Sequence, residues 1–395
     1  MQVIKCNDKT ILEKNHNKVQ IKSSNEKIKK LVMLNEKANS QDIFNEVISN
    51  ILGAKEGFKS DDTKEEKDVK EASFFCENDE KCINNEFLLN FCFLKGDFSL
   101  EKQGQTFIDC LKQAKGIKGA KEAWLIYKHR RNKKFLQTCF DILIEKALRE
   151  FDFENKAIPN RYKEISTVNK AEGYIDFCGN FKALIFIAEN LSEYKTADAL
   201  SCYFNKLKEH CMEKLVNNKE LTENSLNIKS ALSYFDLVPP YRKEIFAREI
   251  KQKTETMQEF PVDSNTFCYV FSVLCENGFL LDAYTLLNKQ TGKEYLAKSS
   301  CPECLSSLVE NLGGIRTSES SSGFSHIVLR PFFIREIEDF ECVMPCSYGN
   351  ISVNWKIFNN TATYNFNVPR STTVILPDGK TESFLQGTHR VIVNV

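Results

Sequence analysis

The chain has 395 residues, with 54 Lys and Arg against 54 Asp and Glu, and 42% of its residues are hydrophobic. That length suggests two or three domains, and the composition is that of a globular protein able to bury a large core. Zero net charge excludes a global field toward nucleic acid or an anionic membrane.

No apolar run reaches the ~18 residues that a membrane span needs. The N-terminus "MQVIKCNDKTILEKN" lacks the apolar stretch of a secretory signal. Neither nucleic acid nor a membrane is therefore an expected partner, and the cytoplasm is the expected location. The 15 cysteines are odd in number and scattered through helical patterns, as expected of buried free thiols in a reducing compartment.

In chain order, residues 1–75 form a poorly defined polar and helical N-terminal segment. "NEKIKKLVMLNEKA" and "SQDIFNEVISNILGA" read as two short helices, and "KEGFKSDDTKEEKDVKEA" reads as a polar connection. From residue 76 to 315 one helical pattern follows another. The clearest is "KKFLQTCFDILIEKALREF", where Phe135, Leu136, Cys139, Phe140, Leu143, Ala147 and Phe151 fall on one stripe. Pro239-Pro240 breaks the run before "YRKEIFAREIKQKT", and Gly278 joins "DSNTFCYVFSVLCENG" to "FLLDAYTLLNKQ". Paired helices with short connections predict stacked helical hairpins, as a toroid or an open solenoid.

At Gly313-Gly314 the period changes from helical to alternating. Residues 316–395 read as a small antiparallel β-sandwich. Ile351, Val353, Trp355 and Ile357 share one strand face, with Ser352, Asn354 and Lys356 on the other. Tyr364, Phe366 and Val368 repeat the alternation, and a Pro-Asp-Gly turn separates "STTVILPDG" from "THRVIVNV".

Four phrases in order, "GFSHIVLRP", "CSYGNISVNW", "NFNVPRSTTVILPDG" and "GTH", resemble the C-terminal part of the bacterial α-L-rhamnosidases, glycoside hydrolase family 78. Upstream, "AWLIYKHRRNKKFLQ", "NGFLLDAYTLL" and "SLVENLGGI" are similar to barrel helices of the same family. The resemblance implies a mainly α fold, an (α/α)6-type helical-hairpin barrel followed by the sandwich, and a carbohydrate as ligand. The phrases themselves are architectural: Trp355, Ile327, Leu329, Val374 and Leu376 are expected core residues, with Gly349 and Gly379 at turns.

Inverting glycosidases need a carboxyl that protonates the leaving oxygen and a second that activates water. Aligned on its cysteine, "FCENDEKCINNEF" sets Cys76 and Glu80 on the family's Cys and general-acid Glu, with Asp79 as the adjacent alternative. Phe75, Glu77 and Asp79 depart from the family pattern. The family's Thr-x-Trp-Glu-x-Trp base segment is replaced by "NKQTGKEYLAKSSCPECLSS", where Glu294 and Glu303 lack the matching context. No base is carried over, and the expected activity is weak or absent. Two alternatives stand beside that reading: an active inverting glycosidase using Glu80, and a non-catalytic scaffold whose barrel centre is plugged by apolar side chains.

Trp124 is a candidate sugar-facing ring, with core packing as the plainer role. Cys301-Pro-Glu-Cys304 is a single CxxC without a second ligand pair, so no metal is expected there. His129-Arg130-Arg131 reads as a solvated helix end, and His389 as a hydrogen-bonded structural histidine. No Gly-rich phosphate loop and no Gly-x-Ser-x-Gly elbow is present, and no cofactor is expected.

Overall fold

In the computed structural model of the chain, the described residues are 3–4, 19–29, 32, 39–52, 89, 92–93, 98–153, 155, 157–218, 225–256, 264–291, 302–317, 321 and 324–395. The helices are α1 (Ser40–Leu52), α2 (Leu100–Gln113), α3 (Ala120–Arg130), α4 (Lys133–Glu150), α5 (Val168–Asn190), α6 (Tyr194–Cys211), α7 (Leu226–Tyr234), α8 (Pro240–Thr256), α9 (Ser264–Glu276), α10 (Leu280–Thr291) and α11 (Pro302–Asn311).

They form hairpins around a common axis. Helices α3, α5, α7, α9 and α11 contact one another in sequence as an inner layer, and α4, α6, α8 and α10 return outside them. Successive inner helices therefore run in the same direction. The two layers differ as their burial requires. Outer α4 is amphipathic, and the expected stripe from Phe135 to Phe151 is buried in full. Inner α3 is buried on every side from Ala120 to Tyr127, Lys121 and Glu122 included. Side-chain caps define several starts: Asn132 accepts from Phe135 N at 2.9 Å, and Thr167 accepts from Lys170 N at 3.3 Å.

The β-sandwich has two sheets. Strands β1 (Val3–Ile4), β2 (Gln20–Lys22), β5 (Asp339–Cys346), β6 (Gly349–Phe358), β7 (Thr361–Val368) and β10 (Gly387–Asn394) form one, in the order β1-β10-β7-β6-β5-β2. Strands β3 (Ile315–Thr317), β4 (Ile327–Leu329), β8 (Thr372–Ile375) and β9 (Thr381–Phe384) form the other, in that order. All pairings are antiparallel except β4 with β8, which is parallel. The sandwich is thus mixed at one pair, because β5, β6 and β7 intervene between β4 and β8 in the chain and lie in the opposite sheet. The N-terminal segment supplies two strands: Ile21 pairs with Cys342 and Val3 with Val391.

The expected core residues Trp355, Ile327, Leu329, Val374 and Leu376 are all buried. Trp355 also carries the junction with the barrel: its Nε1 donates to the Leu312 carbonyl at 2.8 Å, just beyond α11. Tyr364 Oη donates to the Gly313 carbonyl at 3.4 Å.

Candidate functional site

A cavity of about 350 Å³ lies at the C-terminal ends of the inner helices, facing the sandwich. Its volume falls within the ~300–1,000 Å³ of small-molecule sites. Trp124 and Lys128 come from α3, Lys182 and Phe186 from α5, Tyr234 from α7, Glu276 from α9 and Glu310 from α11. Arg316 and Thr317 of β3, Phe324, and Met344 of β5 complete it from the sandwich side.

Beside Gly179 in the cavity wall, charged and aromatic side chains of the inner helices converge. Lys121, only 2% exposed, reaches Asp176 at 2.5 Å, and its ammonium sits 5.1 Å from the centre of the Phe235 ring. Asn180 donates to Asp176 Oδ2 at 3.1 Å and accepts from Lys121 N at 3.3 Å. Gly179 permits this convergence, since a Cβ there would stand 3.2 Å from both the Lys121 stem and the Phe235 ring.

Two ionic groups structure the cavity. Asp236 receives Lys182 Nζ at 3.2 Å and also Lys243 Nζ. Burial pushes its carboxyl up, but the hydrogen bond from Lys243 and the charges of both lysines prevail and hold it below the ordinary 3.8. Arg316 binds Glu276 at 3.0 Å, donates to Asn311 Oδ1 at 3.0 Å, and donates from Nε to the Glu310 carbonyl at 3.3 Å. Trp124, 5% exposed, lies beside Phe186 at 5.9 Å and Tyr127 at 5.7 Å between ring centres. The candidate ring therefore sits in the cavity wall while packing as core.

His129-Arg130-Arg131 is a helix end with both arginines exposed and His129 half-buried, and it is also part of the joint between the domains. His129 stacks on Phe93 at 4.0 Å and meets Phe324 edge-on at 5.5 Å. Arg130 donates to the Phe98 carbonyl, and Arg131 donates to the Tyr348 hydroxyl of the sandwich. Burial, with the charges of Arg130 and Lys128 added, pushes the His129 imidazole down from its ordinary 6.5 to about 3. A depressed pKa means the fold favours the neutral ring, so this stability is complete above pH 6.5 and is lost as pH falls from there toward 3. Melting temperatures across that window should fall more steeply for the wild type than for His129→Gln. Parallel slopes would refute the assignment.

Asp79, Glu80, Cys76, Cys82, Glu294 and Cys301 lie outside the described residues. Glu303 occupies the first turn of α11, about 10 Å along the helix from Glu310 at 1.5 Å per residue. Cys304 is fully buried. His389 is a structural histidine, with Nε2 2.7 Å from the Leu385 carbonyl and the ring against Phe366 and Phe384. Among the described residues, no group of three or more His, Cys, Asp and Glu could hold a metal ion, and no helix is long and apolar enough to cross a membrane.

The sequence reading missed Lys182, Asp236, Lys243 and Arg316. A signal existed for one of them: Asp236 follows the α7 pattern where a helix-ending Gly or Asn is usual.

Residues 314–390 match the family model of the bacterial alpha-L-rhamnosidase C-terminal domain. No curated protein matches the chain. Among solved structures, the alpha-L-rhamnosidase of Dictyoglumus thermophilum aligns with TM-score 0.67 and 13% identity, over 96% of this chain and 50% of its own. The Streptomyces avermitilis alpha-L-rhamnosidase, solved with L-rhamnose, aligns with TM-score 0.65 and 11% identity, over 95% of this chain and 42% of its own. The Aspergillus terreus enzyme aligns at 0.56 and 14%, over 72% and 38%. The chain thus spans half or less of the length of these structures. Their shared architecture is a helical-hairpin barrel joined to a C-terminal β-sandwich. Within that class the chain shares the fold of these structures, and residues 314–390 of its sandwich match the bacterial alpha-L-rhamnosidase C-terminal domain.

Proposed function

We propose that the chain is a carbohydrate-binding relative of the α-L-rhamnosidases with weak or no hydrolytic activity, and that the sugar occupies the junction cavity. The observation that carries this reading is the state of two of the three carboxylates that line the cavity among the described residues. Asp236 is held between two lysines and Glu276 is bound to Arg316. Inverting hydrolysis needs one carboxyl kept protonated and one available to activate water. Ion pairing works against the first requirement and competes with the second. The cavity nevertheless offers rings for the apolar face of a sugar, in Trp124, Phe186 and Tyr234.

The opposing reading makes Glu80 the general acid, with Asp79 beside it and a base still unassigned. Hydrolysis of a chromogenic aryl α-L-rhamnoside by the full chain and by Glu80→Gln separates the two. The expected result is trace turnover or none, equal in both proteins. Wild-type turnover that drops in the variant by the ~10²–10⁴-fold typical of a lost acid would establish an enzyme and overturn the proposal.

A further inference from the structure

We propose that the solvent face of the six-stranded sheet binds an extended, uncharged polysaccharide across its strands, independently of what the junction cavity holds. A solvated sheet face is polar in most sandwiches, so polarity alone assigns nothing. The first observation is alignment. Lys22 of β2 pairs with Glu341 of β5, Glu341 with Asn354 of β6, Asn354 with Asn365 of β7, and Asn365 with Arg390 of β10. Residues paired across a sheet share a face, so five polar side chains stand in one straight row. At ~4.8 Å between strands the row is about 19 Å long, the reach of an extended chain and not of a single sugar. Asp339, Lys356 and Thr363 form a shorter row beside it. Both rows line a groove of about 500 Å³, and among the described residues it shares none with the lining of the junction cavity.

The second observation is hydrogen-bonding chemistry. Asn365 Nδ2 donates to Asn354 Oδ1 at 2.9 Å. The pair thereby keeps a donor amide on Asn354 and an acceptor oxygen on Asn365, side by side in the middle of the row. Sugar hydroxyls both donate and accept, so neighbouring hydroxyls of one chain can meet the two groups together. Phe358 follows Asn354 and Lys356 on the same face of β6, lines the groove and is 73% exposed. An exposed ring supplies the contact that the apolar face of a sugar uses. The third observation is charge. Glu341 receives Lys22 Nζ at 3.0 Å, and Asp339 accepts from Ser24 N at 2.6 Å and Ser24 Oγ at 2.7 Å. These two carboxylates stand among Lys22, Lys356 and Arg390 in the groove lining. Such mixed signs disfavour a polyanion, which calls for a basic stripe. One exposed phenylalanine is too little apolar surface for the centre of a protein interface. An uncharged glycan meets neither obstacle.

Affinity electrophoresis of the full chain tests this, in native gels holding glucomannan, galactomannan, xyloglucan or dextran, with polygalacturonate and polyuridylate as charged probes. At least one neutral polysaccharide should retard the protein, and neither polyanion should. Replacing both amides, Asn354→Ala with Asn365→Ala, should weaken that retention by ~10-fold, the effect of two lost hydrogen bonds. Phe358→Ser should weaken it by a similar factor, and a side chain 73% exposed can be changed without disturbing the core. Excess L-rhamnose should leave the retention unchanged, because one sugar covers only a fraction of the row. Retention that both variants preserve, or that L-rhamnose abolishes, would overturn the proposal by moving the binding off the sheet. Absence of retention by every neutral polysaccharide would overturn it too, and so would stronger retention by polygalacturonate or polyuridylate. None of these failures touches the reading of the junction cavity, which the rhamnoside assay decides separately.

Discussion

Asp176→Ala should destabilise the barrel by about 3–5 kcal/mol, the range for breaking a buried ion pair from one side. Lys121 is the reason. It stands in the first turn of α3, 2% exposed, with its ammonium 2.5 Å from Asp176 and its stem against Gly179 and the Phe235 ring. Removing the carboxylate takes a counter-charge at 2.5 Å from a cation that is almost wholly buried. The reverse change is gentler: Lys121→Met keeps the stem's packing and deletes the charge. It leaves Asp176 at 20% side-chain exposure with the Asn180 amide still donating at 3.1 Å, so its cost should stay below ~2 kcal/mol. The partners are unequal because one is sealed and the other reaches water. Urea unfolding followed by circular dichroism measures both variants. Equal losses, or a larger loss for Lys121→Met, would mean that Lys121 is not the sealed partner of the pair. The pair lies close to the cavity, since the Lys121 stem and the Phe235 ring both flank Gly179 of its lining.

The same pair shows what a sequence does and does not make legible. The α4 stripe from Phe135 to Phe151 is local: every residue that defines it lies within about five helical turns, and its burial follows from spacing alone. The alternation of β6 and β7 is equally local, and the pairing of Trp355 with Tyr364 follows from a tight turn at Asn359-Asn360. Lys121 offers no such pattern. A lysine in the first turn of a helix reads as solvated, and only the return of α5, more than fifty residues later, buries it. The cavity is harder still, because its lining is drawn from helix ends spread between Trp124 and Met344. Each of those residues is ordinary in its own segment; what they share is a level along the barrel axis, which depends on how far each helix extends. Strand β2 pairs with β5 across some three hundred residues, a contact that no local signal encodes. At the end of α3 the exposure of Arg130 and Arg131 is legible in the sequence and the role of His129 is not. The ring partners of His129, Phe93 and Phe324, come from two distant segments and make this helix end a joint as well.

At that joint between barrel and sandwich, Gly314→Ala should cost about 4 kcal/mol or more, in the range reserved for a few severe mechanisms. Gly314 has φ +68°, and a Cβ built on it would lie 2.3 Å from Pro331 N and 2.5 Å from the Arg330 carbonyl carbon. These are backbone atoms and cannot rotate away. The left-handed conformation alone costs a non-glycine residue ~1–2 kcal/mol; the remainder comes from forcing two chain segments apart. Those segments carry the junction: Arg330 N donates to the Gly314 carbonyl at 2.8 Å, Phe332 N donates to the Asn311 carbonyl at 2.9 Å, and Ile315 pairs with Leu329 at the start of β3. Moving Gly314 therefore disturbs the Leu312 carbonyl that Trp355 holds and the Arg316 side chain that binds Glu276 in the cavity. Gly278 supplies the control, for it has φ +79° and a Cβ added there would meet nothing within 4 Å. Gly278→Ala should show the conformational cost alone, ~1–2 kcal/mol. Urea midpoints of the two variants, read by circular dichroism and by tryptophan fluorescence, isolate the steric part as their difference. If Gly314→Ala proves no worse than Gly278→Ala, the two segments are not in the close contact that fixes the sandwich to the barrel, and the cavity's sandwich-side wall loses its anchor.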